Sequence, residues 1–286
     1  YQTVPVNIVG QSYEHRSRSL SAQQSVNMLP EILPSGKAPT AQSPWPGSSS
    51  FSVGYGADRG MHVFQNELYK VNDQTLYKVD NVGAQTSLGV IDGTAMCVFA
   101  DDGNTMRIAT GSKDYLVTGG ALSTLTDSDL NPGNTVTYIN QQMINDSAGT
   151  GQFQVSDVGA PGSIDENNFA TAESAPDDTL ACYAFNERVF IFGETTIETW
   201  YNSGVDSPPF DRVQGGTMNV GLSSAYSIDS SSDFVYFLGH DRLVYRFSAT
   251  QPQSVTPPAI AAAFEDFSVV SDARGFIVNT EGQTFY

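Results

Sequence analysis

Three histidines, His15, His62 and His240, are the only imidazoles in the chain. A zinc site or a histidine-driven triad would need side chains on one face, four residues apart on a helix or alternating on a strand. No pair has either spacing, so neither chemistry is expected. The motifs G-x-S-x-G, H-E-x-x-H and G-x-G-x-x-G do not occur, and Ser35-Gly36-Lys37 lacks the upstream glycine of a phosphate-binding loop. Asp127-Ser128-Asp129-Leu130-Asn131-Pro132-Gly133 begins like a calcium loop. It has Pro132 where the tight-turn glycine belongs and Tyr138 where the bidentate glutamate belongs, so it reads as a solvated acidic turn. Asp101-Asp102, Asp177-Asp178 and Glu265-Asp266 supply paired carboxylates of the kind that glycoside hydrolysis uses. Acids in turns are the ordinary reading in so acidic a chain. Trp200 and Tyr201 could stack on a sugar, but they end an apolar run and read as core. The sequence therefore assigns no catalytic residue, metal ligand or cofactor site.

The composition narrows the function further. The 286 residues carry 31 acids against 13 bases, a net charge of −18. Only 15% are charged, against roughly 25% in an average soluble domain. Tight binding of nucleic acid or of an anionic membrane surface needs clustered Lys and Arg, which this chain lacks. Between Lys113 and Arg188 lie 74 residues with no base and eleven acids, so −11 of the −18 falls on about a quarter of the chain. The ordinary reading is a solvated acidic surface; the sharper alternative is a wall that repels phosphate and lets a polyanion slide past. Cys97 and Cys182 sit in the apolar runs TAMCVFA and LACYAF and are expected as buried free thiols. No apolar stretch approaches the ~18 residues of a membrane span, and no signal peptide is evident. The chain starts at Tyr1 and stops at Tyr286 within a strand-like segment, which suggests a fragment or a processed chain.

Two kinds of text make up the sequence. Residues 1–57 hold Pro5, Pro30, Pro34, Pro39, Pro44 and Pro46 and have no sustained period. Proline fixes φ and removes a donor, so this stretch is expected as an extended arm, with short strands at Val4–Val9 and near Ser25–Met28. From residue 58 onward, strands alternate with tight turns. GMHVF and ELYKV lead through Asn72-Asp73-Gln74 to TLYKV; AMCVFA through Asp101–Asn104 to TMRIAT; VTYINQQMIN through Asp146–Gly149 to GQFQVSDV. RVFIF then leads to TIETWY, FVYFL to RLVYRF, and GFIVN to QTFY. The turns centre near 73, 103, 147, 194, 240 and 281, at spacings of 30, 44, 47, 46 and 41. A period of about 40–50 residues built from antiparallel strands is that of a β-propeller blade. VFIF at 189–192 and FVYFL at 234–238 are apolar on both faces, as strands packed between two other sheets must be. The expected fold is all-β: an arm over 1–57 and a propeller over 58–286, incomplete at its C-terminus, with one helix at Ala259–Phe267 after Pro257-Pro258. A β-sandwich is the fallback.

The opening carries a family likeness. Pro5-Val6-Asn7-Ile8-Val9-Gly10, Tyr13, Ser17-Arg18-Ser19, Ala22-Gln23, Val26-Asn27-Met28-Leu29-Pro30-Glu31 and Pro46-Gly47 stand in order. With Arg59-Gly60, Leu68–Val71, Leu76–Val79 and Phe192–Glu198, this text resembles the packaged-DNA stabilisation proteins, or tail accessory factors, of short-tailed bacteriophages. It departs from them at Met28-Leu29, where the family often has leucine and tyrosine, and at Gln24, where arginine is common.

The resemblance implies a non-enzymatic virion protein, assembled in the bacterial host, that forms a ring of six copies below the portal and its adaptor. It also implies help in closing the channel after packaging, and attachment of a tail needle, tip or tailspike. Genomic DNA would pass through without tight binding. No cofactor and no membrane contact are implied. The arm over Ser17–Glu31 is expected to lie on a neighbouring subunit or partner, with Arg16, Arg18, Gln23, Asn27, Met28 and Glu31 as candidate interface residues. Arg16 and Arg18 are rare cations in an acidic chain, and each could make charge-assisted bonds worth about 1–3 kcal/mol. The competing function is a propeller that binds or cleaves polysaccharide.

Overall fold

The structure is a computed structural model that describes residues 25–32, 40–45, 47–205, 208–248, 251–280 and 283–286. Two compact units divide them, one within 1–50 and 256–268, the other within 51–255 and 269–286.

In the first unit, β1 (Met28–Ile32) pairs antiparallel with β2 (Thr40–Pro44), Met28 opposite Pro44 and Pro30 opposite Gln42. Among the described residues both strands of this ribbon are edges, where each has one side that owes no ladder bond and proline is tolerated. Trp45 N donates to Asn27 O at 2.9 Å, closing the ribbon where Asn27 turns through a φ of 55°. The strand expected near Ser25–Met28 thus begins at Met28, and the one expected at Val4–Val9 lies outside the described residues. The unit's helix, α1 (Pro258–Glu265), starts from Pro257 at the N-cap. Proline suits that start because the first N–H groups of a helix have no partner to lose.

The second unit is a run of antiparallel meanders. The first blade joins β3 (Asp58–Phe64), β4 (Glu67–Asn72), β5 (Thr75–Val79) and β6 (Gln85–Val90) in that order. The second joins β7 (Val98–Asp101), β8 (Thr105–Ala109), β9 (Asp114–Thr118) and β10 (Ala121–Thr124). In the third are β11 (Val136–Ile139), β12 (Gln142–Asp146), β13 (Gln152–Val155) and β14 (Phe169–Thr171). The fourth has β15 (Thr179–Phe185), β16 (Arg188–Gly193), β17 (Ile197–Asn202) and β18 (Phe210–Arg212). The fifth has β19 (Asp229–Ser230), β20 (Val235–Leu238), β21 (Val244–Phe247) and β22 (Gln253–Ser254), and a two-stranded sheet of β23 (Val278–Thr280) and β24 (Gln283–Phe285) follows. First strands of successive blades lie against one another, β3 by β7, β7 by β11 and β11 by β15. The fold is the expected β-propeller, with the first strands of the first four blades side by side.

Burial explains the doubly apolar strands. On β16, Val189 and Ile191 pack back onto the third blade with Ile144, Phe153 and Val155. Phe190 and Phe192, on the opposite face, pack forward onto Val235, Phe237 and Phe247 of the fifth. Alternation along the strand thus becomes alternation between two neighbours, and each fully buried side chain contributes about 1.5–3 kcal/mol. Cys97 and Cys182 are buried free thiols, and burial pushes the Cys97 thiol up to about 11. Trp200 is core, edge-on to Phe153 with ring centroids 5.0 Å apart.

Two details differ from the sequence reading. VTYINQQMIN is not one strand; it folds back at Asn140-Gln141 into β11 and β12, with φ of 51° and 65°. Gln65-Asn66 and Asn186-Glu187 make the same left-handed two-residue turn at the same place in the first and fourth blades. Glycine usually marks such turns, and here none does, so the text runs on unpunctuated. The turn near 103 is also out of phase, joining first and second strands, whereas those near 73, 147, 194 and 240 join second and third. Its true equivalent is the Thr110–Lys113 turn, which removes the uneven spacings of 30 and 44. Gly60 sits where β3 shifts register against β4, at φ 149°, and a Cβ there would lie 2.5 Å from Cys97 O, just before β7.

Candidate functional site

The cations that occupy interior positions serve the fold. Arg59, at the bulge in β3, is almost wholly buried, and its guanidinium donates only to main-chain carbonyls. Nε reaches Ala95 O (2.6 Å), Nη1 reaches Asp73 O and Ile91 O (both 2.8 Å), and Nη2 reaches Asp92 O (3.0 Å). The segment between the first and second blades is thereby tied to β3. Arg107 of β8 and Asp114 of β9 are both fully buried, with Arg107 Nη2 2.6 Å from Asp114 Oδ2 and Nε 2.7 Å from the same oxygen. Arg107 Nη2 also donates to Asn145 Oδ1 at 2.9 Å, crossing from the second blade to the third. Burial pushes the Asp114 carboxyl up, against the lowering effect of Arg107.

Beside Asn145, Asp146 accepts from Asn134 N (2.9 Å), Asn134 Nδ2 (3.2 Å), Thr135 N and Thr135 Oγ1 (both 2.7 Å). Thr135 Oγ1 in turn accepts from Cys182 N at 2.8 Å, which ties the entry to β11 of the third blade to β15 of the fourth. Burial outweighs these donors and pushes the Asp146 carboxyl up to about 6. The native state then holds a proton, between about pH 4 and about 6, that an unfolded aspartate has released. The unfolded state binds fewer protons in that window, so stability is expected to fall as pH rises through it and to level off above. Urea unfolding at about pH 4.5 and about pH 7 checks this, and Asp146→Asn should shrink the difference between the two midpoints.

The acids of the base-free stretch divide by burial. Asp114 and Asp146 are buried, and Asp127, Asp157 and Asp177 are half-buried. Asp129, Asp165, Glu166, Glu173, Asp178 and Glu187 remain exposed. The negative surface expected from the count of eleven is therefore carried by a smaller set. Several of the others are turn formers: Asp127 Oδ1 accepts from Asp129 N at 2.9 Å, and Asp177 Oδ2 from Thr195 N at 2.8 Å. The pair Asp101-Asp102 does likewise, accepting from the main chain of Gly103, Asn104 and Thr105. His62 Nε2 of β3 lies 2.7 Å from Asp101 Oδ2 of β7, and His240 Nδ1 accepts from Gly221 N at 3.0 Å. Among the described residues no three His, Cys, Asp or Glu side chains cluster as metal ligands would. No described helix is long and apolar enough to cross a membrane.

Of the candidate interface residues, Arg16, Arg18 and Gln23 lie outside the described residues. Asn27 and Met28 stand at the open end of the β1–β2 ribbon, and Glu31 pairs opposite Ala41 within it. The sequence reading missed Arg59, Arg107 and Asp114 as fold-organising residues. The available signal was a charge inside an apolar strand, as in TMRIA.

One rim of the propeller carries an open cleft of about 730 Å³ that sequence reasoning did not assemble. The left-handed turns place Asn140 and Asn186-Glu187 there, and β17 ends there with Tyr201 and Asn202. Arg188 stands opposite Tyr201 in the β16–β17 register, and Val213 completes the lining. Tyr201 is 41% exposed, whereas its neighbour Trp200 is 8% exposed.

Solved structures similar to the chain include PorZ of Porphyromonas gingivalis, at 14% identity and a TM-score of 0.47, over 73% of this chain and 29% of that one. BamB from Moraxella catarrhalis matches at 10% identity and a TM-score of 0.46, over 69% and 61%. The β-propeller domain of Myceliophteria thermophila Cps50 (Swd1) matches at 10% identity and a TM-score of 0.44, over 72% and 87%. The chain thus spans less than two thirds of the first two. No curated protein sequence matches it. Residues 2–280, which take in both the proline-rich opening and the blades, match the family described as bacteriophage P22 Gp10, beta-propeller, and the chain belongs to that phage packaged-DNA stabilisation family of structural proteins.

Proposed function

We propose that the chain is a ring-forming connector of the phage tail that sits below the portal and adaptor, helps close the DNA channel after packaging, and anchors the needle or tip. The observation that carries this reading is the family match over residues 2–280. The molecule suits the role: blades buried on both faces make a stiff body, and its interior cations are spent on structure. In this reading residues 1–57 act as an arm that reaches a neighbouring copy. Arg16 and Arg18 pair there with the acids of the next subunit, and replacing both with Ala weakens assembly while leaving unfolding of the propeller unchanged.

Exposed acids from every copy would face DNA together, and their repulsion would add within a screening length of about 8 Å. Duplex binding by the isolated protein should accordingly be weak at all salt concentrations, because six to ten phosphate contacts need cations that this chain does not present. Gel-shift titration at low salt tests that point. Tight binding that collapses on adding salt would sink the proposed passage role.

A further inference from the structure

The geometry points to a carbohydrate-binding site in the rim cleft between the third and fourth blades, independent of the connector reading. The ligand class follows from the side chains. An exposed tyrosine ring offers a flat apolar face on which the C–H face of a pyranose can lie while the ring edge stays wet. Around it, Asn140, Asn186 and Asn202 bring three primary amides from three chain segments. Each primary amide has two donors and a two-lone-pair acceptor, which can engage neighbouring sugar hydroxyls as donor and acceptor at once. Asn202 spends its Oδ1 on Gly204 N (2.9 Å), leaving its amino group to give. The side chains of Asn140, Asn186, Glu187 and Arg188 have no hydrogen-bond or ion-pair partner among the described residues.

Other ligand classes fit less well. Arg188 is the cleft's single cation and Glu187 stands next to it, so no positive excess exists to hold a phosphate or a nucleic-acid backbone. Apolar lining is limited to the Tyr201 ring and Val213, too little to bury the side chains of an apolar peptide. The volume is within the range of small-ligand clefts. Left-handed backbone at Asn140-Gln141 and Asn186-Glu187 fixes the two turns that carry the Asn140 and Asn186 side chains into the cleft. An open cleft leaves much of a sugar solvated, so the affinity for one short oligosaccharide should be weak, on the order of 1 mM.

The test is saturation-transfer NMR on the full chain with four probes: maltotriose, chitotriose, mannotriose and trigalacturonic acid. Binding of at least one is expected, with Tyr201→Phe retaining it, Tyr201→Ala weakening it at least tenfold, and Asn186→Ala weakening it several-fold. Both positions are exposed, so circular dichroism of all three variants should match that of the unaltered protein. If none of the four probes binds, or if binding survives Tyr201→Ala, the site assignment is overturned. Burial of Tyr201 by another protein in assembled particles, seen as loss of hydroxyl-radical labelling without added sugar, would overturn it too.

Discussion

Asp114→Ala is expected to destabilise the propeller by about 3–5 kcal/mol, because it strands a buried guanidinium. Arg107 and Asp114 are both shut off from solvent, and two of the three charge-assisted contacts of Arg107 end on Asp114 Oδ2. Water cannot replace the lost carboxylate without opening the joint between the second and third blades. The pair itself is not a strong net stabiliser, since Arg107 Nη1 and Asp114 Oδ1 have no partner in the protein. Replacing both residues with apolar ones of similar volume, Arg107→Met with Asp114→Leu, should therefore cost much less than either single loss. Urea unfolding of the single and double variants checks this. A single variant as stable as the unaltered protein would show that water reaches the pair.

Phe192→Ala should cost a similar amount, about 3–5 kcal/mol, by a different route. Its ring is fully buried, 5.4 Å from Phe237 and 6.2 Å from Phe247 between ring centroids, and it fills the space between the fourth and fifth blades. Strand neighbours on both sides hold the backbone of β16, so the gap cannot collapse and the cavity cost adds to the lost transfer energy. The contrast with Tyr201→Ala is informative, since that exposed ring should change stability by less than about 0.5 kcal/mol. Thermal unfolding of the two variants side by side measures the difference.

The fold was legible where side-chain period carries it. RVFIF and FVYFL announced strands buried on two faces, Asn72-Asp73-Gln74 announced a hairpin, and Pro257-Pro258 announced the start of the helix. It was not legible where backbone conformation is set by residues other than glycine. Asn140-Gln141 and Asn186-Glu187 adopt left-handed turns that cost strain and leave no sign in the hydrophobic pattern. Charge was legible as a total and misleading as a surface. Asp114 and Asp146 count among the acids, yet one neutralises Arg107 and the other caps Asn134 and Thr135 inside the core. The rim cleft was invisible for a third reason: its residues come from two blades, and only the register of β16 with β17 and the matching turns bring them together. Trp200 and Tyr201 read alike in the sequence, and alternation sends one inward and the other to the rim.

The central claim, a propeller protein built into the phage tail as a connector ring, is tested most directly by cryo-electron microscopy of purified virions. A closed ring of copies beneath the portal and adaptor is expected, each copy showing five consecutive four-stranded blades, with residues 1–57 reaching a neighbour. Virions whose portal-proximal ring is built from another fold, with this propeller elsewhere on the particle or absent from it, would contradict the account.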